Sequence, residues 1–226
     1  MITTIRKLAP DDDLNIVSSL IYETDKYFLP TLFEDNKDIA MRILPHMIRR
    51  NTPYNEDNIY VGLVDDKIVG IVVAFRSPIK IDVGAFFDAL EGGNDSGVEL
   101  MYVFDADKKL TGIVAERLEI ALKEYFFPLE NEGNGYYISS ICVDESYREQ
   151  GIGNELLDGV LPCFGKELDV YVDCAVDNHV ALEMYGARGF ETLFTFERVR
   201  HMTYHKLIRR ANRETIIQQR QNEEVL

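Results

Sequence analysis

The chain has 226 residues, 46% of them apolar and 28% charged, with a net charge of −15. That length suits one domain with a sizeable core, and so acidic a surface repels nucleic acids and anionic membranes while attracting cationic ligands. No apolar stretch approaches the roughly 20 residues of a membrane span, and Cys142, Cys163 and Cys174 contain no CxxC pair, so we expect a cytoplasmic protein with free thiols and no metal site.

Ile2 to Leu8 alternates and predicts a first strand. The run Asp11-Asp12-Asp13 then supplies a helix N-terminus, and Leu14, Val17, Leu20 and Ile21 recur at helical spacing. A second helix is expected from Asp38, with Ile39, Ile43, Leu44, Met47 and Ile48 on one face and a break or kink at Pro45. Asn58 to Val64 and Lys67 to Phe75 are β-branched, apolar runs joined by Asp65-Asp66, which reads as an antiparallel hairpin.

Ser77 to Thr111 holds the turn cluster Gly92-Gly93-Asn94-Asp95 and reads as part of an insert. Val114, Leu118, Ala121, Leu122 and Tyr125 mark an amphipathic helix that Pro128 stops. Next come a strand (Tyr136 to Val143), a glycine-containing turn, a helix from Gly153, a strand (Leu168 to Ala175) and a helix from His179 to Ala187. Phe190 to Val199 and Met202 to Leu207 close the sheet. The reading is one α/β domain over 1–207, with an inserted segment at about 77–135, followed by a charged tail at 208–226. The insert and the tail are the candidates for a homodimer contact.

The segment Ile138 to Gly153 carries the most specific chemistry. A strand runs into a turn, and the turn opens a helix. Its glycines let the backbone bend and approach a ligand, and the first amides of any helix lack intrahelical partners. Together with the positive end of the dipole they form an anion site. A Walker A loop would need Lys after Gly153, where Asn154 stands, and a dinucleotide fingerprint would need a third glycine at Leu156.

Arg148-Glu149-Gln150-Gly151-Ile152-Gly153 resembles the Arg/Gln-x-x-Gly-x-Gly/Ala motif of the GNAT acetyltransferase superfamily. A second resemblance follows in order: Asn178, Ala181, Tyr185 and Gly189-Phe190 match the family's Asn, Ala, Tyr, Gly-Phe pattern. The resemblance implies a GNAT fold, a central mixed, twisted sheet of about six or seven strands flanked by helices. It implies acetyl-CoA as co-substrate, with its diphosphate on the amides of Gln150 to Asn154, Arg148 bracing the loop or pairing with phosphate, and Glu149 beside them. It places the pantetheine arm along Ile141, Cys142 and Val143, with the Cys142 backbone amide as oxyanion donor. Asn178 and Ala181 would meet the cofactor, and Tyr185 would protonate the leaving thiolate. Tyr22, Asp25, Tyr27 and Phe28 fall where the family places its acceptor pocket. For the general base, Glu99, Asp144, Glu145, Tyr136 and Tyr137 are candidates, with Glu99 taken first. The implied reaction is acetyl transfer to a primary amine of a small molecule by direct attack. The alternative is a non-catalytic CoA-binding module on the same fold.

Overall fold

A computed structural model of the chain describes Ile2 and residues 4–24, 29–30, 35–49, 53–78, 133–198 and 202–212. The turn cluster at Gly92–Asp95, the helix expected from Val114, and the tail past residue 212 lie outside the described residues.

The elements in order are β1 (Thr4–Lys7), α1 (Leu14–Thr24), α2 (Lys37–Ile48), β2 (Ile59–Val64), β3 (Lys67–Ser77), β4 (Gly135–Val143), α3 (Ile152–Val160), β5 (Asp169–Ala175), α4 (His179–Gly186), β6 (Glu191–Arg198) and β7 (Met202–Arg209). The strands form a seven-stranded sheet in the order β1-β2-β3-β4-β5-β7-β6. Every neighbouring pair is antiparallel except β4 with β5.

Local chemistry explains the entry into the sheet. Asp13 accepts from the Asn15 amide at 2.9 Å and starts α1. Asp12 instead takes a bidentate pair from Arg6 at 2.6 and 2.8 Å and the Ala9 amide at 2.7 Å, tying β1 to the helix start. The hydrogen-bonded Arg6 guanidinium holds the Asp12 carboxyl below the usual carboxylate range. Asp65 and Asp66 both have positive φ (49° and 60°), the conformation a tight turn between twisted strands requires.

Pro45 does not break α2, which runs on to Ile48. A proline inside a helix costs about 3 kcal/mol. Leu44, Met47 and Ile48 are fully buried around it, and each such side chain returns about 1.5–3 kcal/mol.

Two cores sandwich the sheet. On one face α1 and α2 place Val17, Leu20, Ile21, Ile43 and Met47 against Val61, Ile71, Val73 and Phe75. On the other, α3 places Leu156, Leu157 and Val160 against Val72, Ile138, Val170 and Val172. The second contact is unusually close. A Cβ at Gly62 would lie 2.6 Å from Leu156 Cδ2, and one at Gly70 2.7 Å from Leu156 Cδ1 and 2.8 Å from the Cys142 carbonyl oxygen. These two glycines let α3 sink against the strands, which fixes the height of the loop at its N-terminus.

Candidate functional site

The parallel pair β4–β5 is in register only from Gly135–Asp169 to Ile138–Val172. Beyond that point the strands part and leave a gap. The parting coincides with a bulge in β4, where Ala74 pairs with Ile138 and Val73 with Ser140, so Ser139 is the extra residue.

The register decides which amides face the gap. Asp144 donates its amide to the Val69 carbonyl at 2.8 Å, and bonded pairs recur at every second residue of an antiparallel ladder. The pair Cys142–Ile71 therefore belongs to the β3 ladder. This corrects the expectation for Cys142: its amide faces β3, and the backbone polar groups of Ile141 and Val143 face the gap. The Val143 carbonyl accepts there from Arg148 Nε at 2.9 Å. On β5, Val176 donates to the Thr203 carbonyl at 3.1 Å, so by the same parity Asp173 and Ala175 turn toward β4.

The loop at the wide end of the gap is built by short-range bonds. Asp144 accepts from the Ser146 amide at 2.9 Å and caps a 3₁₀ turn, Glu145–Tyr147. Glu149 and Gly151 then take positive φ (62° and 81°), and α3 begins at Ile152. The first helical bond runs from the Glu155 amide to the Gly151 carbonyl at 3.1 Å. Among the described residues, the amides from Glu149 through Asn154 meet no backbone acceptor. This is a row of open donors at the positive end of a helix, which is an anion site. A Cβ at Gly153 would point between α4 and β4, 3.7 Å from Met184 Sδ and 3.8 Å from Val143 Cγ2.

Arg148 braces this loop. Besides its bond to the Val143 carbonyl, it pairs with Glu23 of α1 at 2.7 Å. Arg188 ties the end of α4 to α3. It bonds Asp158 twice at 2.7 Å, the Asn154 side chain and the Met184 carbonyl at 2.8 Å, and the Asn154 carbonyl at 3.1 Å. The Asn154 side chain is thus occupied, and its amide is what remains for the site.

On α4, Asn178 is the N-cap and accepts from the Ala181 amide at 3.2 Å. Gly189 takes φ 78° after the helix, and Phe190 packs its ring 5.3 Å from that of Tyr185. Tyr185 is buried beside Cys174, and burial raises its phenol pKa well above the usual value. Burial likewise pushes the thiols of Cys142 and Cys174 up to about 11, so both stay protonated and neither is an activated nucleophile.

Of the acceptor-side candidates, Asp25, Tyr27, Phe28 and Glu99 lie outside the described residues. Tyr22 packs at the edge of the α1–α2 core and donates to the Asp35 carbonyl at 3.4 Å, with Lys37 Nζ 5.7 Å above its ring. Asp144 and Glu145 belong to the 3₁₀ turn. Tyr136 stacks on Phe164 at 4.5 Å, on the α3 face. Tyr137 lies on the opposite face and donates to Asp173 Oδ2 at 2.9 Å. Lys206 Nζ pairs with Asp173 Oδ1 at 2.7 Å and lies 5.0 Å from the Tyr137 ring centroid. Sequence reasoning missed Asp173 and Lys206. Their signal was a charged residue in the interior of each of two mainly uncharged strands.

Among the described residues, no helix is long and apolar enough to cross a membrane. The sequence matches the Acetyltransferase (GNAT) family over residues 22–190. The fold is similar to an N-acetyltransferase from Staphylococcus aureus Mu50, with a TM-score of 0.61 at 18% identity over 92% of this chain and 100% of that one. It is also similar to a further acetyltransferase crystal structure, with a TM-score of 0.58 at 19% identity over 93% of this chain and 100% of the other. A third similar structure is the NatC complex bound to Gag peptide and CoA, with a TM-score of 0.51 at 12% identity over 91% and 96% of the two chains. No curated protein matches the sequence.

Proposed function

This chain belongs to the GNAT acetyltransferase family, and from that premise we propose that it transfers the acetyl group of acetyl-CoA to a primary amine by direct attack. The observation that carries the proposal is the row of open amides from Glu149 to Asn154, set at the mouth of a gap between two parallel strands.

The thioester supplies an acetyl group already activated for transfer, so the chain's residues need mainly to hold, orient and move protons. The loop amides and the α3 dipole hold the diphosphate, with Arg148 bracing the loop from below. The amides of Ile141 and Val143 face the gap, and we assign them to the pantetheine arm and the developing oxyanion. A fixed donor of this kind contributes about 3–4 kcal/mol to the rate. Tyr185 is protonated, as a donor to a leaving thiolate must be; burial makes it a weaker acid, and the same apolar surroundings make a thiolate formed there a stronger base.

For the acceptor we propose a small-molecule amine, drawn as its cation toward a chain of net charge −15 and reacting as the free base. The NatC complex, whose structure holds a peptide, makes a peptide N-terminus the second class to assay. The experiment is thiol release from acetyl-CoA across polyamines, aminoglycosides, amino acids and short peptides, with calorimetry of acetyl-CoA in parallel. Thiol release that depends on an added amine is the expected result. Tight binding with no release on any amine would mean a CoA-binding module, and no binding at all would remove the assignment.

A further inference from the structure

We propose that a cavity at the far end of α3 binds a small carboxylate with an apolar body, held by Lys166 and Arg209. The site is separate from the loop at Gln150–Asn154 and does not depend on the acetyl-transfer reading.

Position comes first. Leu161 follows the last residue of α3, and a 3₁₀ turn, Leu161–Phe164, leads through Gly165 toward β5. The foot of β7 lies beside it, because Arg209 pairs with Val170 near the start of β5. Between this turn, the foot of β7 and the residues just past α4 is a cavity of about 320 Å³. Asp158, Leu161, Pro162, Lys166, Arg188 and Arg209 line it. The open amides stand at the other end of α3, whose nine residues span about 13 Å at a rise of about 1.5 Å each.

The walls are fixed by hydrogen bonds. The Asn212 amide donates to the Lys166 carbonyl at 3.0 Å, and the Ala211 amide donates to Asp169 Oδ1 at 2.7 Å. These bonds pin the chain leaving β7 against the connection before β5. Gly165 makes that connection at φ 76° and ψ 167°, a conformation essentially confined to glycine, and so sets Lys166 on the rim. Arg188 forms the back wall. Its side chain is only 13% exposed, and its guanidinium is engaged by Asp158 and Asn154.

Charge points to the ligand. The whole chain carries 39 acidic and 24 basic side chains. This cavity reverses the balance, with three cations and one carboxylate, and that carboxylate, Asp158, is already paired with Arg188. Among the described residues, the side chains of Lys166 and Arg209 form no ion pair. Two like charges around one cavity repel, and an anion between them removes the repulsion. Arg209 offers a planar fork that matches a carboxylate, and Lys166 offers a point charge that demands no fixed geometry. Leu161 and Pro162 add an apolar wall that an inorganic ion leaves bare and a hydrocarbon body covers. Ligand pockets run from about 300 to 1,000 Å³, so this volume admits only a small molecule.

The test is isothermal titration of the full chain with benzoate, at low ionic strength in a buffer free of carboxylate and phosphate. Benzoate is expected to bind with a Kd of about 1 mM or tighter. Benzamide and benzylamine keep the ring without the negative charge and should not bind. Inorganic phosphate keeps the charge without the ring and should bind more weakly than benzoate. Lys166→Gln should weaken benzoate about tenfold, and Lys166→Gln with Arg209→Gln should abolish its binding. Lys166 is exposed, so the single variant folds whatever Arg209 contributes to β7, and thermal unfolding checks both. Saturating CoA should leave the benzoate Kd unchanged. Benzoate binding that is absent, that benzamide or phosphate equals, or that survives the double variant would each overturn the site. So would displacement of benzoate by CoA, which would assign the two cations to the cofactor's own phosphates. Thiol release, the measure of acetyl transfer, is read separately.

Discussion

Gly153→Ala is expected to make the protein more stable and leave it able to bind acetyl-CoA, whereas Gly153→Leu is expected to lose the binding. Gly153 lies in the first turn of α3 with no positive φ, and a Cβ there meets its nearest neighbours at 3.7 and 3.8 Å, ordinary contact distances. Nothing in the protein resists the methyl group. Glycine within a helix costs about 0.5–1 kcal/mol relative to alanine, so stability should rise by about that amount and Tm by roughly 1–4 °C. The ligand separates two substitutions. A methyl stays within the contacts that Gly153 already allows, and the family motif takes glycine or alanine at this place, so the Kd of Gly153→Ala should hold. A leucine reaches past Met184 and Val143 and crowds the loop. Pushing a diphosphate off one loop amide forfeits a hydrogen bond to a charged group, about 1.5–3 kcal/mol, or about ten- to more than a hundredfold in Kd. Differential scanning calorimetry and isothermal titration with acetyl-CoA measure stability and binding on one preparation of each variant. Gly153→Ala is the control that shows the loop accepts a Cβ. A Gly153→Leu protein that folds and still binds acetyl-CoA with wild-type Kd would refute the placement of the diphosphate on these amides.

Gly151→Ala meets open space but must hold φ near 81°, so it should lose about 1–2 kcal/mol, with Gly151→Asn recovering part of it in thermal unfolding. Tyr185→Phe should lower kcat about 10²-fold and leave the calorimetric Kd for acetyl-CoA unchanged. Tyr185 acts in its protonated form and burial raises its pKa, so a wild-type kcat profile should show no alkaline loss from this phenol below about pH 10.

What the sequence disclosed follows from how local each feature is. The loop at Arg148–Gly153 and the cap at Asn178 were legible because their backbone demands are met by neighbouring residues: left-handed φ at Gly151, an open helix start, a side-chain oxygen for the Ala181 amide. The hairpin at Asp65-Asp66 was legible for the same reason. Pro45 misled because burial of Met47 and Ile48, a tertiary matter, outweighed a local rule. The Asp173–Lys206 pair was illegible as a pair, since β5 and β7 become neighbours only through the sheet order. The direction of the Cys142 amide was illegible for a subtler reason. In an unbroken strand, Tyr136 and Ile138 would share their direction with Cys142. Ser139 adds one residue and hands that direction to Ile141 and Val143.

The same bulge bears on why a gap exists at all. Up to Ile138, β4 is held on both sides, by β3 and by β5; past Ser139 it stays with β3 alone. An extra residue bends its strand and increases the local twist, and here the bend begins where the parallel ladder ends. Deleting Ser139 should therefore close the site without disturbing the core. The pairs Ala74–Ile138 and Val73–Ser140 become consecutive, every later residue keeps its partner on β3, and Cys142 keeps its buried face. A straightened β4 can continue its ladder along β5, gaining about 1 kcal/mol for each added hydrogen bond. The shortened protein should unfold at no lower urea concentration than the parent and should fail to bind acetyl-CoA in calorimetry. If it binds with parental affinity, the strands part for some other reason, and the bulge only sets which amides look into the opening.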